Sequence, residues 1–375
     1  MAFGIYIHIP FCRRKCSYCD FLSAPATDET IEKYVNSLET EIQEMAGRLR
    51  DVEISSVFFG GGTPSIMKPA FFKRIMGAVR GLYRLSGDCE ISVECNPGTL
   101  DEGKLAAYKE AGVNRLSIGL QSVHENELIM LGRIHDYKMF LDSYSLARRM
   151  GFDNINIDIM SGLPGQGTDD YVDTLSKVVE LKPEHISSYS LIMEEGTPLL
   201  KMYEQGQLPR VADEDTERAM YYITKDILKS HGYERYEISN YALPGRECRH
   251  NILYWTRGSY VSFGIGAATF IGAMRYNNTR DIRSYIENPL QEKTDVEYLS
   301  KEDAMAEFMF LGMRMMKGVS KMLFMQQFGE SMDSIYGPVL KKYEESGHII
   351  TEGDNVRLSE AGIDVSNVVF ADFII

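Results

Sequence analysis

Tyr6-Ile-His-Ile-Pro-Phe-Cys12-Arg-Arg-Lys-Cys16-Ser-Tyr-Cys19 is the stretch on which the reading of this chain turns. Residues 5–9 are apolar enough for a buried strand. Three cysteines follow at C-x3-C-x2-C spacing. In a reducing compartment such clustering points to a metal centre rather than to disulfides. Thiolates hold iron–sulfur clusters, and three of them on a four-iron cluster leave one iron open for chemistry. A closed zinc site needs four ligands. His8 is the candidate for the fourth, although it lies on the strand and not in the loop. Cys89, Cys95 and Cys248 are scattered and read as ordinary small residues.

Outward from this loop, strand-like and helix-like stretches alternate through residue 195. Strands are expected at 5–9, 56–59, 90–94, 115–119, 154–159 and 185–191, all rich in Ile, Val, Phe and Tyr. Amphipathic helices separate them. Ile31, Tyr34, Val35, Leu38, Ile42 and Met45 recur at helical spacing, with Thr27 or Asp28 as the cap. Thr99 and Glu102 have capping-box spacing ahead of Leu105 and Tyr108. Such alternation predicts parallel βα units. Six units are fewer than the eight of a closed barrel. The expected fold is therefore α/β: a partial, open (β/α)6 TIM-like barrel with a smaller C-terminal α+β domain. The expected divisions are a barrel core over 1–195, an extension and linker over 196–299, and a C-terminal domain over 300–375. In the last, three helices precede a hairpin at 348–351 and 355–358, a winged-helix-like arrangement.

The formal net charge of −14 argues against a nucleic-acid partner. No apolar run reaches the roughly 18 residues that cross a bilayer, and the first residues carry no secretory pattern. A cytoplasmic location is the expectation. Arg13, Arg14 and Lys15 form a local basic patch beside the cysteines. Phe59-Gly60-Gly61-Gly62-Thr63-Pro64 ends the second strand, where three glycines permit close approach of a ligand. Ligands in such folds lie at the carboxyl ends of the strands.

The cysteine loop with Tyr18 resembles the signature of radical S-adenosylmethionine (SAM) enzymes, whose fold is a partial (β/α)6 barrel. Tyr6-Ile-His-Ile-Pro-Phe-Cys12, Gly60-Gly-Gly-Thr-Pro64, Glu94-Cys-Asn-Pro97, Gly119-Leu-Gln121-Ser122, Arg133 and Asp158-Ile-Met-Ser-Gly-Leu-Pro164 look like the oxygen-independent coproporphyrinogen oxidase group. The resemblance implies a [4Fe-4S] cluster on Cys12, Cys16 and Cys19. It implies SAM contacts from Tyr6, Tyr18, Gly61 and Glu94. It also implies contacts to a second SAM molecule from Gly62, Thr63, Gln121, Arg133 and Asp158. The lesser alternative is an internal ion pair between Arg133 and Asp158, which does not exclude cofactor binding.

The oxidases carry a further cysteine two residues after the third ligand, where this chain has Phe21. In that respect it resembles the HemW group, haem chaperones related to those oxidases. Arg249-His250-Asn251-Ile-Leu-Tyr254-Trp255 resembles their H-N-x-x-Y-W motif. That resemblance implies haem as cargo, haem-acceptor proteins as partners and His250 as the candidate haem ligand. It assigns no catalytic residue, and porphyrinogen decarboxylation is the alternative activity. Peripheral association with membrane-bound acceptors and a homodimer complete the expectations. From the residues alone, the preferred reading of His250 and its aromatic neighbours is a packed cluster joining the two domains, and only the resemblance reverses that. Seven methionines between 305 and 325 read mostly as core, with a haem-facing or partner-facing groove as the alternative.

Overall fold

The computed structural model describes residues 2–374. Six strands run parallel and lie side by side in chain order: β1 (Phe3–Ile9), β2 (Glu53–Gly61), β3 (Arg84–Cys95), β4 (Arg115–Gln121), β5 (Ile155–Ser161) and β6 (His185–Ser190). They are the six read from the sequence, most of them longer. Helices cross over between them, as parallel pairing requires. The later chain extends both edges of this sheet. β7 (Glu234–Glu237) and β8 (Asn240–Ala242) join antiparallel beside β6. β9 (Ser259–Phe263) returns to pair parallel with β1, and β10 (Ala268–Ile271), β11 (Met274–Asn277) and β12 (Thr294–Tyr298) continue outward from it. The order is β12-β11-β10-β9-β1-β2-β3-β4-β5-β6-β8-β7, an open mixed sheet with the parallel barrel segment at its centre.

The two faces of this sheet differ in chemistry. On β4, Leu116, Ile118 and Leu120 pack into the main core, while Arg115, Ser117, Gly119 and Gln121 face an internal cavity. On β5, Ile155, Ile157 and Ile159 lie in the core, and Asn156 and Asp158 face the cavity. Period-2 alternation thus buries the outer face under helices and leaves a polar lumen. The interior of this barrel is a place for ligands.

The helix Asp28–Ala46 lays Ile31, Tyr34, Val35, Leu38 and Ile42 into the core, and Thr27 caps it by accepting from Thr30 N at 3.2 Å. The cap at the helix Glu102–Glu110 is Asp101, which accepts from Lys104 N at 2.8 Å. Thr99, expected there, instead donates to Asn96 O and shares a 2.6 Å hydrogen bond with Ser65 Oγ. Asp101, two residues closer to the helix, takes the cap in place of Thr99.

The last part of the chain has its own core around Met305, Met309, Phe324, Tyr336 and Phe373. Its helices Lys301–Gly312, Lys321–Phe328 and Met332–Glu345 precede the hairpin of Ile349–Glu352 and Asn355–Leu358. Val319–Ser320 adds a third strand to that hairpin. Two short helices follow, Glu360–Asp364 and Ser366–Ala371, which the sequence reading did not separate. Of the seven methionines, 305, 309, 313 and 315 are buried, whereas Met322 and Met325 are exposed. The unit is bolted to the barrel by charge: Glu307, itself buried, receives Arg257 at 2.8 Å and also Arg275. Arg314 lies 4.3 Å over the Trp255 ring, and Arg235 forks onto Glu360 at 2.9 and 3.0 Å. Among the described residues, no helix is long and apolar enough to cross a membrane.

Candidate functional site

The cysteine loop leaves β1 at Pro10 and is pinned from three sides. Cys12 N donates to Ala24 O at 3.1 Å, closing the loop on itself. Ser17 N donates to Leu131 O at 2.9 Å and Ser17 O accepts from Leu199 N at 2.8 Å. Arg14 reaches Gly132 O at 2.7 Å. Gly132 is left-handed (φ 71°), and a Cβ there would lie 2.9 Å from Ser17 N, so only glycine admits the loop so closely. Cys12, Cys16 and Cys19 are half-buried and line one cavity. Two donors approach their sulfurs: Thr63 Oγ1 lies 3.5 Å from Cys12 Sγ, and Arg133 Nη1 lies 3.6 Å from Cys16 Sγ. Thiolate sulfurs are what an iron–sulfur cluster requires, and both donors are placed to hydrogen-bond to such ligands. His8 does not complete a zinc site. Its Nδ1 meets Tyr6 OH at 3.1 Å and its Nε2 meets Leu22 O at 2.9 Å, so both ring nitrogens are taken.

The glycine run crosses directly behind this loop. Gly62 N donates to Ile9 O at 2.9 Å and Thr63 N to Phe11 O at 2.8 Å. Gly61 has φ 110°, and a Cβ on it would come within 2.4 Å of the His8 ring. Its N–H donates to Glu94 Oε2 at 3.1 Å. Burial, and then the nearby Asp158, push the Glu94 carboxyl up to about 8. Tyr18 lines the cavity, whereas Tyr6 packs behind it against Phe58 and His250. Burial raises the Tyr18 phenol to about 12 against the opposing pull of Arg133.

Arg133 is held from above and below. Its Nη2 donates to Asn96 Oδ1 at 2.8 Å and to Gly119 O at 2.6 Å. Asp158 does not pair with it. The Asp158 carboxylate instead accepts from Asn156 Nδ2 at 2.7 Å and Ser117 Oγ at 3.3 Å, and burial raises its pKa. The internal ion pair considered from sequence is therefore absent between these two residues, and both remain turned to the cavity. Gln121 sits at a register shift between β4 and β5 with φ 73°, a left-handed conformation uncommon for its type. Its Oε1 accepts from Tyr189 OH at 3.0 Å. Strain of this kind at a strand end beside a cavity is typical of ligand sites.

The cavity joins these groups. It encloses about 440 Å³, an ordinary size for a cofactor site. It brings together Cys12, Cys16, Cys19, Tyr18, Gly61, Gly62, Thr63, Glu94, Gln121, Arg133 and Asp158. Tyr6 and His250 do not line it. His250 is fully packed in the wall, with Nδ1 2.8 Å from Ser56 Oγ and Nε2 2.9 Å from Tyr254 OH. Its ring stacks on Phe58 at 5.2 Å and meets Tyr254 edge-on at 4.9 Å. Both ring nitrogens are engaged in this arrangement, a packed aromatic cluster of the kind weighed from the residues alone.

Lining residues that the sequence did not mark include Arg115 and Asn251, besides Ser117, Asn156 and Tyr189. Arg115 opens the alternation Arg-Leu-Ser-Ile-Gly-Leu-Gln, whose polar half was the available signal. Asn251 belongs to the same motif as His250, but it alone of the pair faces the lumen. At the mouth, Phe21 is 64% and Ile192 68% exposed, an apolar lip on an otherwise polar cavity.

Residues 6–178 match the radical SAM superfamily and residues 299–365 the HemN C-terminal domain. The chain is 37% identical to the haem chaperone HemW of Bacillus subtilis over 374 residues, 98% of each protein. It is 33% identical to haem chaperone HemW of Escherichia coli, over 96% of this chain and 94% of that one. Radical S-adenosyl methionine domain-containing protein 1, mitochondrial, of Bos taurus is 32% identical over 96% of this chain and 85% of its own length. The structure of coproporphyrinogen III oxidase (HemN) from E. coli superposes with a TM-score of 0.86 over all of this chain and 90% of that one, at 21% identity. That likeness establishes the fold.

Proposed function

This chain belongs to the HemW family of radical SAM proteins, and on that premise we propose that it binds haem and hands it to acceptor proteins. Membership of the radical SAM superfamily implies a [4Fe-4S] cluster and SAM. Cys12, Cys16 and Cys19 would hold the cluster, which supplies one-electron chemistry and an open iron for the amino and carboxylate groups of SAM. Thr63 and Arg133 would hydrogen-bond to the ligand sulfurs, Glu94 would accept from the ammonium or ribose, and the pinned loop would keep water from the sulfonium.

The observation that carries haem transport over decarboxylation is the lip. At the position where the oxidases have a cysteine, this chain exposes Phe21, and Ile192, also exposed, lines the same cavity. An apolar rim over a polar cavity suits a flat apolar cargo that must also be released. Both side chains are exposed, so replacing Phe21 and Ile192 together with serine should leave stability within about 0.5 kcal/mol. Haem affinity of the reconstituted protein should fall by about tenfold or more, as expected for lost apolar contact. An unchanged Soret titration in that variant would remove the lip from the account.

Glu94 offers a separate test. In the protein without SAM its carboxyl holds a proton up to about pH 8, because burial disfavours the charge. Cationic SAM favours the carboxylate, so binding below that pH must expel a proton. Affinity for SAM is therefore expected to rise from pH 6 to pH 8, by at most about tenfold per unit, and then level. Glu94→Gln should flatten that part of the profile in equilibrium dialysis. A wild-type profile that is flat, or that rises on acidification, would contradict the assignment.

A further inference from the structure

Arg115 has a guanidinium with nothing to hold. It is 2% exposed, it begins β4 at the end of the lumen farthest from the cysteines, and it lines the cavity. Its Nε has no hydrogen-bond partner, and none of its nitrogens forms a hydrogen bond or ion pair with a described residue. The carboxylates nearby are already engaged. Glu90 accepts from Arg249 N at 3.0 Å, from His250 N at 3.1 Å and from Cys248 Sγ at 3.6 Å. Asp158 is held by Asn156 and Ser117. A buried cation without a partner is costly, and it persists where a ligand supplies the missing charge.

Two neighbours share this open capacity. Ser92 stands beside Arg115 in the β3–β4 register, and its Oγ is buried without a partner. Asn251 faces the same cavity from the helix Arg249–Trp255, and its side-chain amide bonds to no described residue. From these observations we propose that Arg115, with Asn251 and Ser92, forms a carboxylate-binding floor to the cavity. It would seat the acidic end of a ligand whose other end lies toward the cluster loop.

The charge present selects a carboxylate. At this end of the lumen Arg115 is the cation among the described lining residues, and one guanidinium balances one carboxylate in a bidentate fork, with no second cation there for a doubly charged phosphate. Six residues of β4 separate Arg115 from Gln121, a span of about 20 Å, so the ligand is extended. Two ligands of the function proposed above have this chemistry: haem through a propionate, and a further SAM molecule through its amino-acid carboxylate. The floor rests on that reading for the identity of its ligand but not for the existence of the site.

The test compares each ligand with its carboxylate-blocked form on the anaerobically reconstituted protein. Haem is paired with its propionate diester, and SAM with decarboxylated SAM, following the equivalent bound beyond the first. One pair should differ by about tenfold or more in wild type, the usual scale for a charge-assisted hydrogen bond. Arg115→Gln should erase that difference and Arg115→Lys should restore part of it. The pair that responds names the source. If Arg115→Gln does not fold by circular dichroism, Asn251→Ala takes its place and should shrink the difference about threefold or more. Equal binding of free and blocked forms in wild type overturns the proposal, as does a difference that survives Arg115→Gln undiminished. If haem fails to bind at all, the transport reading falls while the SAM pair still decides the floor. If neither ligand binds there, the cation is merely solvated and the proposal is overturned.

Discussion

Cys16→Ala, reconstituted anaerobically with iron and sulfide, is expected to come out without the broad absorption near 400 nm of a four-iron cluster. Its SAM affinity should fall by about a hundredfold or more. Loss of groups that only support metal ligands already costs roughly 10–100-fold, and Cys16 is proposed as a ligand itself. The fold should survive. The loop is fixed by main-chain hydrogen bonds of Ser17 to Leu131 and Leu199, and none of these involves the thiol. Thermal unfolding of the cluster-free proteins should therefore agree to within about 1 kcal/mol. A variant that keeps its cluster spectrum would remove Cys16 from the ligand set.

His250→Ala is expected to behave in the opposite way. It should cost about 3 kcal/mol of stability while leaving the Soret maximum of the haem-loaded protein in place. The substitution strands Ser56 Oγ and Tyr254 OH inside the wall and opens a void against Phe58. While both nitrogens keep these partners, it removes no iron ligand. The same burial gives a pH signature. The His250 imidazole is held down at about 3, and His135 likewise, against an ordinary value near 6.5. The folded state thus prefers neutral rings. That stability is present in full above about pH 6.5 and is lost progressively as pH falls toward 3, since the unfolded chain takes up protons first. One ring contributes roughly 1 kcal/mol of loss by pH 5.5. His250→Ala should show a shallower acid slope than wild type in denaturant titrations. A Soret shift in the folded variant would identify His250 as a ligand.

The barrel was legible because its outer face obeys a simple rule. Leu116, Ile118 and Leu120, like Ile155, Ile157 and Ile159, mark strands whichever way the other face points. The lumen was harder to read. Ser117, Asn156 and Asp158 hold one another through hydrogen bonds between adjacent strands, and such pairings depend on register, which a sequence does not state. Cys12, Cys16 and Cys19 declared themselves by spacing, and the structure places Thr63 and Arg133 at their sulfurs from distant parts of the chain. The motif around His250 reads two ways for a physical reason. A histidine beside aromatics looks the same whether it meets iron or a serine hydroxyl, and only Ser56 on β2 distinguishes the two. Its neighbour Asn251 was overlooked because an amide carries no chemistry of its own until a cavity is known to face it.

The most direct measurement is a single preparation of reconstituted protein, divided between haem and coproporphyrinogen III under anaerobic, reducing conditions. The account predicts a saturable Soret band on adding haem, lost when an apo-acceptor protein is supplied, and no protoporphyrinogen IX from the second portion. Multiple turnovers to protoporphyrinogen IX, with no saturable haem spectrum, would contradict it.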